Sequence, residues 1–530
     1  YRWGQVFWAF LTSLYGDEVI EPFFMSTARN GLDEAIRLEL GLEPDTLSDV
    51  WVKAIQEYYG PMVRDEYRTL IEGTALLEEL PGRIAVSPRI SPDGKYVIFL
   101  SERDLFGLDL FLADVSSEQV IRKVFSTTRD GHIDEYHSIE SAGAWSPDSR
   151  QFVTVAFVGG KNALIFKDVQ NGKTVRELAI PGVPAFANPA WSPDGNKIVV
   201  SGMVEGQVDL YEFHLKDGSV RKLTDNRASE MQAEFSSDRE KLVYSTDKMS
   251  ALRGGPVDQQ TFNIAVLQIG TGEVTHYDPF PGSDQLNPLF DSEGRILFLS
   301  DRDGYRDLYQ LDPATGRVWQ LSRLKTGISG ITHEAPAMSI GQFRNRDRLV
   351  YSMHRDGGYD LIKVYLDQLF REEVEPGELN WGPATLPKES RTGWEVTQSL
   401  VARNQLYPVD SSAWQHRAYK PKFRLDYIGG GTGLGIGSNS LFGTQAGMAG
   451  GVDMLFGDIL GNQQMYAGLN INGQVYDFGG QVAWLNRKKP LIWGASISHI
   501  PYRSGYYLPL QYDTVLIEGE PVEAVNLPTN

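Results

Sequence analysis

The sequence predicts a mainly β chain: a six-bladed β-propeller, a small N-terminal helical domain, and a C-terminal antiparallel β segment of partial-barrel type. Three observations carry that prediction. A Ser-Pro-Asp-Gly turn followed by two β-rich runs recurs through the middle of the chain. Apolar residues fall at helical spacing near its start, and beyond about Tyr419 apolar and polar residues alternate. The composition agrees, with 54 Gly, 24 Tyr, 24 Phe and 11 Trp among 530 residues, the accent of many turns and many strands.

The repeat defines the propeller. Ile90-Ser91-Pro92-Asp93-Gly94 precedes Tyr96 to Leu100 and then Leu108-Asp109-Leu110-Phe111. Trp145-Ser146-Pro147-Asp148-Ser149 precedes Phe152 to Phe157 and Ala163 to Phe166, and Trp191-Ser192-Pro193-Asp194-Gly195 precedes Ile198 to Ser201 and Val208 to Tyr211. Phe235-Ser236-Ser237-Asp238 and Phe290-Asp291-Ser292-Glu293-Gly294 are weaker copies. The sixth has lost its turn but keeps two strands, Leu349 to Ser352 and Tyr359 to Ile362. Proline presets φ at the second turn position, aspartate bonds nearby amides, and glycine takes the left-handed exit. Asp217-Gly218 and Thr315-Gly316 read as hairpin turns into fourth strands at Val220 to Leu223 and Val318 to Leu321. One blade cannot bury both its faces, whereas six stacked round an axis can.

These residues resemble the WD40-like (PD40) propeller repeats of TolB and its relatives, from about residue 83 to residue 370. The resemblance implies a protein-binding platform of the bacterial envelope. Prolyl-oligopeptidase-type enzymes share the blade, but the sequence contains no G-x-S-x-G nucleophile elbow.

At the start, Trp3, Val6, Phe7, Phe10, Leu11 and Leu14 share one helical face, as do Leu47, Val50, Trp51, Ala54, Ile55 and Tyr58. Thr46-x-x-Asp49 reads as a capping box, and Gly31 and Gly41 bracket a short helix. The run from Tyr1 to Leu11, with Tyr15-Gly16-Asp17-Glu18, resembles the helical tail of gluzincin-type, peptidase-MA-like metalloproteases. In that family the H-E-x-x-H zinc helix lies upstream. Here His333-Glu334 continues as Ala335-Pro336-Ala337 and lacks the second histidine. This chain therefore shows no catalytic motif, and zinc enters only with an upstream protease domain. A small helical cap on the propeller is the other reading. The chain begins at Tyr1 with no visible signal peptide and reads as a fragment that has lost its N-terminus.

Toward the other end, Met465, Ala467, Leu469 and Ile471 alternate with polar residues and glycine, as do Trp493, Ala495 and Ile497. Tyr419 to Phe423, Gly429 to Gly437 and Phe456 to Asn462 resemble the opening of barrels fused behind TolB-like propellers. About five strands are legible, whereas closed bacterial barrels start at about eight. The segment is then an incomplete barrel or a soluble β-meander. The expected domains are residues 1–75 (helical), 76–370 (propeller), 371–418 (linker) and 419–530 (barrel-like).

The formal net charge of −19 repels a phosphate backbone, which argues against a nucleic-acid partner. With no cysteine, disulfides and Cys-ligated metals are excluded. The Gly429 to Gly435 run lacks the Gly-Lys-Ser/Thr ending of a phosphate loop. Asp301-Arg302-Asp303-Gly304 lacks the rest of a calcium loop, and Asp307 belongs to the Asp-Leu-Tyr signature of its blade. Two candidate sites remain. His132, Glu135, His137 and Glu140, with Asp134, cluster in the loop entering the second blade, as a binding or metal loop or as plain solvated chain. Ser87, Asn188, Gln232 and Asn287 each stand four residues before the turn serine or its equivalent. That position lines one mouth of the central channel, either to bind a peptide or to bond neighbouring blades.

The functional expectation is a non-catalytic, protein- or peptide-binding propeller without a cofactor, placed in the bacterial periplasm and tethered at the outer membrane by its C-terminal segment. The alternative is the rear part of a zinc metalloprotease.

Overall fold

Each Ser-Pro-Asp turn forms as its residues dictate. In the first, the Ser91 hydroxyl donates to Asp93 Oδ1 at 2.6 Å and accepts from the Tyr96 amide at 3.0 Å. Gly94 then leaves at φ 67°. The same bonds recur at Ser146 and Asp148, 2.6 Å, and at Ser192 and Asp194, 2.7 Å. The computed structural model describes residues 2–78, 82–104, 107–137, 139, 141, 143–254, 260–375, 379–380, 419–439, 443–473, 478–489, 491–499, 511–517 and 520–526.

Six antiparallel sheets follow one another along the chain. Their innermost strands are Ala85–Ile90, Ala144–Trp145, Ala185–Trp191, Glu230–Phe235, Gln285–Phe290 and Met338–Phe343, for blades 1 to 6. Each touches the next, and blade 6 meets blade 1, so the ring closes. Six apolar clusters fill the clefts between neighbours. Leu100 and Leu112 pack with Phe152 and Ile165 between blades 1 and 2. Phe99 and Phe111 pack with Val350 and Leu361 where blade 6 returns to blade 1. This is the six-bladed propeller that the repeat predicts.

Blade 6 lacks the Ser-Pro-Asp turn because a tighter one replaces it. Phe343 pairs with Arg346, and the two residues between, Arg344 and Asn345, have φ 54° and 59°. Two left-handed residues make the mirror-image turn that suits a two-residue hairpin. The outer strand of blade 6 comes from the other end of the chain: Thr74 pairs with Lys363 and Ala75 with Ile362. Glu372–Val374, expected in the linker, pairs with Val318–Gln320 as a fifth strand of blade 5. Residues 376–378 and 381–418 of the expected linker lie outside the described residues.

The N-terminal segment is helical: Arg2–Tyr15, Ile20–Asn30, Leu32–Ala35 running on through Leu40, and Pro44–Val63. Phe10, Leu11, Phe23, Ile36, Leu40 and Leu47 form its own core. The capping box at Thr46 does not form, because the last helix starts earlier. Pro44 occupies its first turn and Glu43 is the extended cap residue, without a side-chain cap bond. Among the described residues no helix is long and apolar enough to cross a membrane.

Beyond this helix Arg68 anchors the chain to blade 5. Its guanidinium donates to Asp307 at 2.8 Å, Asp303 at 3.0 Å and the Leu324 carbonyl at 3.0 Å, and stacks over Tyr305. Matching positions explain the need. Lys123 meets Asp109 at 2.6 Å in blade 1, and Lys222 meets Asp209 at 2.8 Å in blade 3. In blade 5 the same register position is Gln320, opposite Tyr309, so Asp307 lacks a cation from its own sheet.

Residues 408–530 form a separate unit. Arg424–Asn439, Gly443–Gly457, Gln463–Gly473, Phe478–Asn486 and Trp493–His499 make an up-and-down sheet in chain order. Its register puts Met454, Ala467, Val482 and Ile497 in one cross-strand row, and Asp453, Gly468, Gln481 and Ser498 in the adjacent row on the opposite face. Gln511–Ile517 and Glu520–Asn526 form a further hairpin. Among the described residues this sheet is open, with Arg424–Asn439 and Trp493–His499 at its edges.

Candidate functional site: an axial funnel

Four inner strands carry a bulge at one shared place. The register shifts between Val86 and Arg89, Ala187 and Ala190, Met231 and Glu234, and Leu286 and Leu289. The first bulged residue is Ser87, Asn188, Gln232 or Asn287, with φ of 52°, 48°, 57° and 55°. Left-handed backbone is uncommon outside glycine, so four copies mark a shared requirement. The bulge sets these residues against neighbouring blades. Asn287 Oδ1 accepts from the amides of Ala337 and Met338 in blade 6, at 2.9 and 3.0 Å. Gln232 Oε1 accepts from the Asn287 amide at 2.6 Å, while its Nε2 donates to the Glu334 carbonyl at 2.6 Å. The Asn188 amide donates to Ser141 Oγ at 2.7 Å, and the Ser87 hydroxyl reaches the Ile139 carbonyl at 3.5 Å. The four predicted residues thus belong to a polar belt that stitches the ring. Asn188, Gln232 and Asn287 also line a constriction of about 20 Å³ on the axis, room for about one water.

On the side of the turns the channel widens into a funnel of about 430 Å³. Its wall takes one apolar residue from the end of each inner strand: Ile90, Trp145, Trp191, Phe235, Phe290 and Ile340. Pro92, Pro147 and Pro193 of the turns line it as well. Each repeat therefore contributes to one shared surface.

A salt bridge closes the floor. Arg89 of blade 1 and Glu234 of blade 4 meet at 3.0 Å, and three blades apart on a six-membered ring is directly across the axis. Arg89 Nε also donates to the Gly143 carbonyl at 2.8 Å, and Trp145 Nε1 donates to the Arg89 carbonyl at 2.8 Å. Both charged residues line the funnel and the constriction below it. Sequence reasoning missed this pair, although its signal is in the repeat register. The column two residues before the turn serine or its equivalent reads Arg89, Ala144, Ala190, Glu234 and Leu289, and strand register adds Ser339 in blade 6. Its two charges are of opposite sign and stand three blades apart.

Other charges on the wall are acidic. Asp291 stands where other blades have the turn serine. Burial pushes its carboxyl up, against bonds from the Arg295 amide and Gln310. Asp347 accepts from the Ser292 amide at 3.0 Å and from its hydroxyl at 2.7 Å.

Among the described residues the second predicted set does not converge on one point. His132 Nε2 pairs with Glu177 of its own blade at 3.1 Å, Glu135 is exposed, and the His137 ring tilts against Phe157. Glu140 lies outside the described residues. Among those residues one His/Asp/Glu group could converge on a cation: Asp284, Asp301 and His333, with donor atoms within 4.8 Å of one another, at the opposite end of the ring from the funnel. His333 Nε2 already bonds Asp284 at 2.7 Å, and the half-buried Arg306 lies within electrostatic reach of both carboxylates.

The family description "TolB beta propeller domain" matches residues 128–375, just under half of the chain, from the entry to blade 2 to the last strand on blade 5. The Protein TolB homolog of Chlorobium chlorochromatii is 26% identical over 156 residues, 28% of this chain and 34% of that protein. The homolog of Chlorobium luteolum is 24% identical over 181 residues, 33% and 38% of the two chains. The chain spans about a third of the length of these relatives. Among solved structures, a putative TolB from Agrobacterium tumefaciens aligns with TM-score 0.39 at 18% identity, over 53% of this chain and 90% of that one. TolB from Acinetobacter baumannii aligns with TM-score 0.35 at 20% identity, over 55% and 66%. The propeller is TolB-like.

Proposed function

We propose that this chain is a non-catalytic, protein- or peptide-binding propeller of the bacterial cell envelope, and that the axial funnel is its binding site. One observation carries the reading: all six blades converge an apolar or aromatic side chain on a single concave surface of about 430 Å³. Binding sites are concave and mostly apolar, with a few polar groups to fix orientation. The Arg89–Glu234 pair supplies such groups at the floor. The TolB-like repeat supports the periplasm as the place of action. The C-terminal sheet supports a tether at the outer membrane, since one row is apolar, Val482 and Ile497 are 46% and 76% exposed, and the opposite face is polar.

Site-specific photo-crosslinking in cells tests the binding site. A crosslinker at Trp191 should capture an envelope protein, and one at Val175, on the outer strand of blade 2, should not. Equal adducts at both positions would sink the funnel as the site. Extraction tests the tether: release from membranes by salt alone would count against it.

A further inference from the structure

We infer that the funnel selects a segment presenting a cation at its tip, a Lys or Arg side chain or a chain-terminal amine, which binds Glu234 beside the Arg89 bridge. This rests on the funnel being the binding site and names the chemistry of its ligand. Two independent features lead to it.

The first is shape. The funnel holds about 430 Å³, whereas the hollow beneath the bridge holds about 20 Å³. A water fits below, and a polypeptide does not. The Arg89–Glu234 bridge spans the floor, so a ligand that keeps it intact enters with a chain end or the tip of a turn rather than by threading.

The second is charge. The charged residues of the funnel wall are Arg89, Glu234, Asp291 and Asp347, three acids against one base. Arg89 is committed, with its side chain 14% exposed, Nε on the Gly143 carbonyl and Nη2 on Glu234. Glu234 is the more open partner at 29%. Its bond to Arg89 uses Oε2, and those to Asp347 use Oδ2. An entering anion would have to displace Glu234 while facing two further carboxylates. An entering cation finds the opposite field, focused by low-dielectric walls. On the rim Lys95 pairs with Asp93 and Arg239 with Asp194.

Labelled peptides acetyl-Gly-Pro-Leu-X-Leu-Pro-Gly-amide, with X as Lys, Gln or Glu, would be titrated into the full chain by fluorescence anisotropy. The Lys peptide should bind about tenfold tighter than the Gln peptide and the Glu peptide weakest, with the Lys advantage shrinking at high salt. Glu234→Gln, checked for folding by circular dichroism, should cut the ratio of Lys-peptide to Gln-peptide affinity from about tenfold to about one. An uncapped version with X as Gln separates a terminal amine from a side chain as the source of the cation. Equal binding of the three capped peptides with no gain from the uncapped amine, or tightest binding of the Glu peptide, would overturn the inference while leaving the funnel as a binding site. No binding of any peptide would overturn both.

Discussion

Arg89 and Glu234, 145 positions apart in sequence, join side chains at 3.0 Å across the axis of the propeller. The bridge ties opposite blades that share no sheet. It is partly buried, so its coupling should exceed that of surface pairs. Chemical unfolding of Arg89→Met, Glu234→Gln and the double variant should show a coupling of about 1–2 kcal/mol, with the double variant more stable than the two single losses predict. Simple additivity would mean that the two charges stabilise the ring independently.

The Arg68 anchor makes a stronger prediction. Burial pushes the Asp307 carboxyl up to about 7, while Arg68 opposes it. Arg68→Met leaves that acid beside Asp303 without its cation and should cost about 3 kcal/mol. Arg68→Lys should recover little, because the fork to two carboxylates and the stacking on Tyr305 both need a guanidinium. Gln320→Lys, copying Lys123 and Lys222, should partly rescue Arg68→Met. Hydrogen exchange over residues 64–75 should rise in Arg68→Met, and unchanged protection there would refute the anchor.

Turn chemistry gives a third test. Ser149 and Arg239 occupy the left-handed exit that Gly94 and Gly195 fill elsewhere, at φ 58° and 68°. Ser149→Gly and Arg239→Gly should each raise stability by about 0.5–1 kcal/mol in thermal melts. The reverse change separates strain from crowding. At Gly195 an added Cβ meets open space, whereas at Gly94 it would lie 2.9 Å from Phe343 Cβ and 3.0 Å from the Gln342 carbonyl. Gly94→Ala should therefore cost clearly more than Gly195→Ala.

A fourth prediction concerns pH. Glu230, at the start of the inner strand of blade 4, is pushed up to about 7, first by burial, with Asp209 and Asp247 adding repulsion against bonds from Asn226 and Thr224. A carboxyl raised in the folded state holds its proton there after the unfolded chain has lost it. The native state then binds more protons between about pH 4.5 and 7, so this contribution to stability falls as pH rises through that window. Glu230→Gln should flatten that part of the melting-temperature profile. An unchanged slope would assign it to other groups.

Much of the fold was legible in the residues because blade physics is local. Ser91, Asp93 and Gly94 form their turn with partners within five positions. The near-continuous apolar strands that follow, buried on both faces, have nowhere to go but between neighbours of the same kind. The helical start was legible from spacing, while its cap was misread, since Pro44 begins the helix ahead of Thr46. Ser87, Asn188, Gln232 and Asn287 were legible as one repeated position, though not the left-handed bulge that turns them into links between blades.

By itself the sequence determined the repeat, the turn chemistry, the six-unit ring and the polar column on the inner strands. Tertiary structure decided everything that joins distant units. Closing the ring put Arg89 opposite Glu234, set Thr74 and Ala75 on the last blade, carried Glu372–Val374 back to blade 5, and brought Arg68 to the one Asp-Leu-Tyr aspartate among blades 1, 3 and 5 whose own sheet offers glutamine instead of lysine. The physical reason is range. A turn is settled by bonds between near neighbours, whereas a charge finds its partner only after the blades have fixed which strands face each other across the axis.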